Sequence, residues 1–322
     1  MARYARVTTV AHAAVAPGPH WIERTRESLA AHLKQAAQHK PDLVVFPETV
    51  NCTGLPLDDW WGMAETIPGP TFDSLAQLAR QYGTYVCLPL LEQEGDHLRN
   101  TAAFIDREGN LLGKYHKHVP CLVELENGVL PGTEVPAFDT DFGKIAAAIC
   151  FDINCDEVGR KLSESGARLV CFVTQTRGGE RLRHWARDYG FYLVSAYPEY
   201  SCVVDMAGRV LGGTGYEDNQ VAGGYLPPLY TTALNMDRRL FHLADNQDKF
   251  PAMFNKHGAG LEIESHYPEA HCTIASTRDD VTIEDLVAEF KLEPWVDYLN
   301  RCRGLRTEYL RRAERATQSP SQ

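Results

Sequence analysis

Over the first two thirds of the chain, short apolar runs alternate with stretches whose apolar residues recur every three or four positions. Residues 6–11 read as a strand, and Pro17-Gly18-Pro19 is a break. Ile22, Leu29, Leu33 and Ala37 then recur at helical spacing up to a stop at Pro41. Leu43-Val44-Val45-Phe46 is a wholly apolar run ended by Pro47, the pattern of a strand covered on both faces. A second helical stripe, Phe72, Leu75, Leu78, Ala79 and Tyr82, is closed by Gly83. Residues 85–91 read as a strand, and 99–106 and 111–115 as two strands joined at Glu108-Gly109-Asn110. The theme then repeats. Strands are expected over 144–149, 169–173 and 192–196, with helices over 156–165 and 180–189. A hairpin is expected around Ala207-Gly208. Gly212-Gly213-Thr214-Gly215 is not followed by a helix start, so it reads as a turn and not as a phosphate cradle. Buried strands with interleaved helices argue for a layered α/β fold.

From about Met236 the character changes. Residues 245–272 are polar, carry His257, His266 and His271, and show no clear period. A helix is expected from Asp279 through Phe290, and another from Pro294 into the basic stretch 301–315. The chain therefore divides into a core, 1–240, and a C-terminal extension, 241–322, expected to pack on the core or on a partner subunit. Thr317 to Gln322 are expected to be disordered.

Charge and cysteine usage narrow the classes. The 322 residues carry a net charge of −11, a poor match for phosphate backbones or anionic membranes. No run approaches the roughly 18 apolar residues of a spanning helix. Nine scattered cysteines form no disulfide framework, which points to reduced thiols and a cytoplasmic protein. The basic start, Met1 to Arg6, followed by an apolar run has the outline of a signal peptide, but His12 interrupts it and a buried first strand fits better. Asn51-Cys52-Thr53 fits a glycosylation sequon.

Three short segments carry chemistry. Phe46-Pro47-Glu48 places a carboxylate directly after a buried strand, where open α/β sheets bind their ligands. Tyr115-His116-Lys117 aims an amine from a strand that ends at Pro120. In Ile145 to Asp152 a small-residue strand ends in Cys150 and a helix follows, the geometry of a nucleophile on a sharp turn.

Together and in this order, the segments resemble the nitrilase superfamily of carbon–nitrogen hydrolases. That family's pattern is a Glu in an F-P-E context, a Lys in a Y-x-K context and a Cys in a C-[YF]-D context. Here they are Phe46-Pro47-Glu48, Tyr115-His116-Lys117 and Cys150-Phe151-Asp152. Leu43-Val44-Val45 before the Glu, Pro131-Gly132 after the Lys, and the hairpin from Asp205 to Leu211 add to the likeness, which covers residues 4–235. The resemblance implies a four-layer αββα sandwich and a homodimer or larger homo-oligomer. Glu48 would be the base, Lys117 and the Phe151 backbone N–H would stabilise an oxyanion, and Cys150 would form a thioester. A second Glu would brace Lys117. Glu124 and Glu126 are the candidates, and Glu126 is preferred because it directly precedes the Asn127-Gly128 turn.

The implied substrate is a small amide or N-carbamoyl compound. True nitrilases carry Trp-Glu after the nucleophile, and this chain has Phe151-Asp152. Trp60, Trp61, Thr174, Gln175 and His184 are candidates to line the pocket with Phe151. Nitrile hydrolysis at the same site, or an inactive binding subunit, are the alternatives. A Cys–His hydrolase would draw on His116, His118 or His184, without a local signature. A metal site would draw on His116, His118 and Cys121, or on Cys150 and Cys155. Neither set has a paired C-x-x-C framework or an H-E-x-x-H, so no metal or other cofactor is implied.

Overall fold

Most of the apolar runs become strands in the computed structural model, which describes residues 4–215 and 228–318. Contacts divide the chain into two units, Arg3–Met236 and Asp237 onward. In the first, β1 (Tyr4–Val10), β2 (Leu43–Val45), β3 (Tyr85–Glu94), β4 (His97–Ile105) and β5 (Leu111–His116) form one sheet. Its order is β12-β1-β2-β3-β4-β5, where β12 (Leu229–Asn235) returns late in the chain. A second sheet has the order β11-β10-β9-β8-β7-β6. It is built from β6 (Ala137–Thr140), β7 (Gly143–Ile149), β8 (Leu169–Val173), β9 (Tyr192–Ala196), β10 (Tyr200–Val204) and β11 (Val210–Gly215). The centre of each sheet is parallel, β1-β2-β3 and β7-β8-β9, which is why those runs are apolar throughout.

Helix α1 (Trp21–Ala37), the short α2 (Leu57–Trp60), α3 (Pro70–Tyr82) and the short α4 (Leu122–Glu126) belong to the first half. Leu29, Leu33 and Ala36 of α1 and Phe72, Leu75 and Ala79 of α3 pack on Val44, Val86 and Leu88 of the first sheet. Gly83 ends α3 in the left-handed conformation, φ 61°, as its place after the stripe predicts. Helices α5 (Asp156–Glu164) and α6 (Glu180–Tyr189) cover the second sheet in the same way, through Val158, Leu162, Leu182 and Trp185. The remaining faces of the two sheets meet. Thr9 Oγ1 donates to Ser195 O at 2.7 Å and Ser201 Oγ to Val10 O at 3.0 Å across that interface. This is the αββα sandwich.

Two readings change here. Gly212 to Gly215 are not a turn but part of β11, paired with β10. Gly212 is small because Tyr230 of β12 lies against it, a Cβ there sitting 2.3 Å from the ring, and a Cβ at Gly213 would sit 2.6 Å from Ser201 O. Asn51 of the sequon is fully buried, and its amide exchanges hydrogen bonds with the Leu91 backbone in both directions at 2.9 Å. It is a structural residue in the fold. The N-terminal run is strand β1, in the sheet interior between β12 and β2. Among the described residues no helix is long and apolar enough to cross a membrane.

In the second unit, β13 (Arg238–His242), β14 (Leu261–His266) and β15 (His271–Ser276) form an antiparallel sheet, with α7 (Phe250–His257), α8 (Ile283–Phe290) and α9 (Trp295–Gln318). The division falls after Met236, not after residue 240, because β13 pairs with β15. The stretch 245–272, expected to lack a period, contains α7 and β14. Leu261 and Ile263 alternate there with Glu262 and Glu264, a strand signature weakened by the half-exposed face. Their apolar side joins Phe241, Ile274, Ile283 and Leu286 in a separate core. Thr317 and Gln318, expected to be disordered, close α9, while 319–322 lie outside the described residues.

Candidate active site

Four loops that directly follow strands converge on one buried cluster. Glu48 comes three residues after β2, and Thr49 behind it turns the chain at φ 46°. Lys117 follows β5. Its N–H donates to Asn100 O on β4, and its carbonyl accepts from Gly132 N–H, both at 2.8 Å. A Cβ at Gly132 would lie 2.3 Å from His116 O, so only glycine lets this segment press against the lysine's backbone. Cys150 follows β7 and opens a 3-10 turn at φ 47°, a left-handed conformation that a non-glycine residue adopts at a cost of about 1–3 kcal/mol. Thr174 and Gln175 follow β8. The three parallel strands thus deliver their residues at their C-terminal ends, where α/β sheets hold ligands.

The side chains form a closed ring of charge. Lys117 Nζ donates to Glu48 Oε1 at 2.8 Å and pairs with Glu124 Oε2 at 2.7 Å. Asn100 Nδ2 donates to Glu48 Oε1 at 2.7 Å and Glu124 Oε1 at 2.6 Å. Glu48, Lys117 and Asn100 are 3 %, 2 % and 1 % exposed. Burial alone would push the Lys117 ammonium down, but the Glu48 and Glu124 carboxylates outweigh it and hold it above its ordinary value. Burial likewise works against ionised Glu124, and the Lys117 charge with the Asn100 amide overcomes it, leaving its carboxyl below the usual range.

Burial pushes the Cys150 thiol up to about 12, reinforced by the Glu48 charge and opposed by Lys117 and by a Thr174 hydrogen bond. The sulfur therefore rests protonated at neutral pH, and a thiol in that state would need a base to act as a nucleophile. Asp152, two residues on, is fully buried. It accepts from Tyr115 OH at 2.6 Å and from the backbone N–H groups of Val119 and Ile149, each at 2.8 Å. One carboxylate thus ties the Cys150 turn to the segment carrying Lys117. Burial pushes that carboxyl up to about 6 despite these donors.

Of the residues expected at the site, the structure gathers Glu48, Lys117 and Cys150. It brings Glu124, not Glu126, to the lysine: Glu126 is exposed at the end of α4. The reason is helical geometry. Glu124 is the third residue of α4 and reaches back to Cys121 N–H at 2.7 Å, which turns it inward. Gln175 is at the site but faces Glu48. Its N–H donates to Glu48 Oε2 at 2.8 Å, and its Nε2 donates to Glu48 O at 2.6 Å. Thr174 hydrogen-bonds Cys150. Trp60 does not join the cluster; its Nε1 donates to Leu55 O at 3.0 Å and it packs with Trp61 on Cys52 and Leu91. His184 is exposed on α6, and no hydrogen bond links it to the cluster. The Phe151 side chain is 43 % exposed, which leaves its backbone as the part nearest the chemistry. Asn100 has no signal of its own in the sequence.

Among the described residues the cluster with metal-ligand spacing is Glu92, Glu94 and His116, not the sets built on Cys121 or Cys155. Lys114 Nζ already lies 2.6 Å from Glu92 and 3.0 Å from Glu94, so an ammonium occupies the place of a cation.

The sequence from residue 9 to 227 matches the family model described as carbon-nitrogen hydrolase, more than half of the chain. The chain belongs to the carbon–nitrogen hydrolase family. It is a carbon–nitrogen hydrolase whose fold recurs in solved members of the nitrilase superfamily. A crystal structure of an amidase from Nesterenkonia sp. aligns with TM-score 0.62 at 21% identity, over 78% of this chain and 96% of that one. A nitrilase-superfamily protein of Saccharomyces cerevisiae aligns with TM-score 0.61 at 18% identity, over 80% and 95%. By sequence, an omega-amidase of Xenopus tropicalis is 26% identical over 68% of this chain and 84% of its own length. A bifunctional nitrilase/nitrile hydratase of Nicotiana tabacum is 27% identical over 58% and 68%.

The position of Glu124 has a direct consequence for a carbon–nitrogen hydrolase. Glu124→Gln is expected to lower kcat by about 10- to 100-fold, the scale of a hydrogen bond between charged groups. Glu126→Gln is expected to stay within about twofold of the wild type, as surface changes do. Equal losses in both, measured by product release, would contradict the assignment.

Proposed function

We propose that the chain hydrolyses the C–N bond of a small linear amide or N-carbamoyl compound through a thioester on Cys150. The observation that carries this reading is the buried Lys117 ammonium shared by two carboxylates beside a protonated thiol on a strained turn. Glu48 takes the thiol proton as sulfur attacks the carbonyl carbon. Lys117 and the Phe151 N–H stabilise the oxyanion, each such donor being worth on the order of 3 kcal/mol. The C–N bond then breaks, and the proton on Glu48 passes to the departing ammonia or amine. Glu48 next takes a proton from water, whose oxygen attacks the thioester; the C–S bond breaks, the acid is released and the proton on Glu48 returns to the Cys150 sulfur.

Phe151-Asp152 after the nucleophile and the relative named omega-amidase support amides over nitriles. Asp152, committed to Tyr115 and two backbone donors, braces the turn that carries Cys150 for either substrate.

The test is ammonia release from a panel of short amides, N-carbamoyl compounds and nitriles, with wild type and Glu48→Gln. Wild type is expected to turn over an amide or carbamoyl compound, and Glu48→Gln to lose about 10²- to 10⁴-fold, the usual contribution of a positioned base. Turnover of nitriles alone would move the reading to the nitrilase branch. Undiminished turnover in Glu48→Gln would remove Glu48 as the base.

A further inference from the structure

Asn100 touches both carboxylates of the ring and contributes no charge to it. The side chain of this β4 residue is 1 % exposed. Both hydrogens of its Nδ2 are spent on carboxylates, one on Glu48 Oε1 at 2.7 Å and one on Glu124 Oε1 at 2.6 Å. Its buried Oδ1 has no hydrogen-bond partner among the described residues. Its donor end is saturated by the two carboxylates that hold Lys117, so the residue fixes the ring through what it donates to.

The donor count on Glu48 then becomes informative. Oε1 takes two donors, Asn100 Nδ2 and, at 2.8 Å, Lys117 Nζ. Oε2 takes one, the Gln175 N–H at 2.8 Å. A carboxylate oxygen offers about two lone-pair sites, so Oε1 is filled and Oε2 keeps one free.

We propose that Asn100 is a positioning residue of the reaction. It fills Glu48 Oε1 together with Lys117, so that Oε2 is the atom that exchanges the proton with Cys150 and the leaving amine, and it keeps Glu124 ionised against Lys117. This rests on the thioester reading above. The groups that face the ring are Glu48 after β2, Lys117 after β5, Glu124 of α4 with Cys121 before it, Cys150 after β7, and Asp152 with Tyr115 behind the Cys150 turn, the last two unchanged in every variant compared. Lys117 is the only cation among them. Without the Asn100 donors, one ammonium must hold two buried carboxylates by itself. They then take up a proton at higher pH, and a protonated partner releases Lys117 and Glu48 from their places.

The test needs no known substrate. The rate of Cys150 alkylation by iodoacetamide is measured by peptide mapping from pH 5 to 10 in wild type, Asn100→Leu and Asn100→Asp. Fold is checked in the same digests, because buried Cys87 and Cys171 stay unlabelled while the chain is native. In wild type, Cys150 is expected to react faster near neutral pH than exposed Cys302. Asn100→Leu is expected to slow it about 10- to 100-fold, the scale of lost hydrogen bonds to charged groups, and to move the pH dependence upward toward that of an unassisted thiol. Asn100→Asp keeps the size of the side chain and adds a third negative charge, so it decides the matter if the leucine variant does not fold. A folded variant with the wild-type rate–pH curve overturns the proposal. So does a slower rate whose pH dependence is unmoved, since a merely structural residue would give that. A wild-type Cys150 no faster than Cys302 overturns the thioester reading as well. A reactive Cys150 indifferent to both changes overturns only the role of Asn100.

Discussion

Cys150→Ala is expected to reduce amide turnover by about 10⁴-fold or more while leaving the fold intact. Losses of this size follow removal of a nucleophile whose partners cannot act alone. The two effects separate here because the sulfur is used for chemistry more than for packing. Cys150 is half-buried and lies outside the apolar cores of both sheets. Its backbone, at φ 47°, is as strained for alanine as for cysteine, so the change neither relieves nor adds strain. Thermal unfolding should therefore show a transition near that of wild type. Intact-mass measurement during turnover should show an acyl adduct on wild type and none on the variant. A Cys150→Ala protein retaining a tenth of the activity would refute the nucleophile.

Lys117→Met is expected to be the most destabilising single change at the site, costing about 3–5 kcal/mol. Removing one partner of a buried ion pair leaves the other charge uncompensated, and here two carboxylates, Glu48 and Glu124, lose their one ammonium. The pH dependence gives a sign test. In wild type, the carboxyl of Glu124 is held below its ordinary range, so its contribution is present above the unfolded pKa and is lost as pH falls. In Lys117→Met only the Asn100 and Cys121 donors still oppose the burial of Glu124, and its folded pKa rises. The variant should then be more stable below the unfolded pKa and lose that stability as pH rises. Urea midpoints measured between pH 4 and 7 should therefore slope in opposite directions for the two proteins. Adding Glu124→Gln to Lys117→Met should restore part of the loss, because the pair is coupled. Parallel slopes and additive losses would mean that Lys117 acts by packing alone.

How much of this could be read from the sequence depended on how far apart the cooperating residues lie. The parallel strands were legible because both faces are covered, so Leu43 to Val45 and Leu169 to Val173 carry no polar residue. Helix α3 was legible to its last residue because Gly83 marks it. Glu48 and Cys150 were legible because each follows such a strand in a short motif, whereas Lys117 follows the half-buried antiparallel edge strand β5 and was legible from the Tyr115-His116-Lys117 motif alone. The sequence leaves Glu124 and Glu126 both open, with a preference for the wrong one, because two residues along a helix turn a side chain by about 200°, and nothing in Val123 to Asn127 fixes where α4 begins. Asn100 was invisible because its role arises from contacts 52 residues back and 24 forward, with no local pattern to announce it. Gln175 was placed near the pocket for its position after β8. Its contacts with Glu48 span 127 residues, so its direction could not be foreseen. Strand β12 was missed because it lies on a sheet edge, with Leu229 to Thr232 only half-buried.

The hydrogen bond between Tyr115 and Asp152 joins the lysine segment of one sheet to the cysteine turn of the other. Glu48, Lys117 and Glu124 come before the first strand of the second sheet, and Cys150, Thr174 and Gln175 after it. Neither half of the chain therefore owns a working centre. On the proposed mechanism a chain that ends before β6 would hold Glu48, Lys117 and Glu124 but no Cys150, so activity would require both sheets to be made and docked.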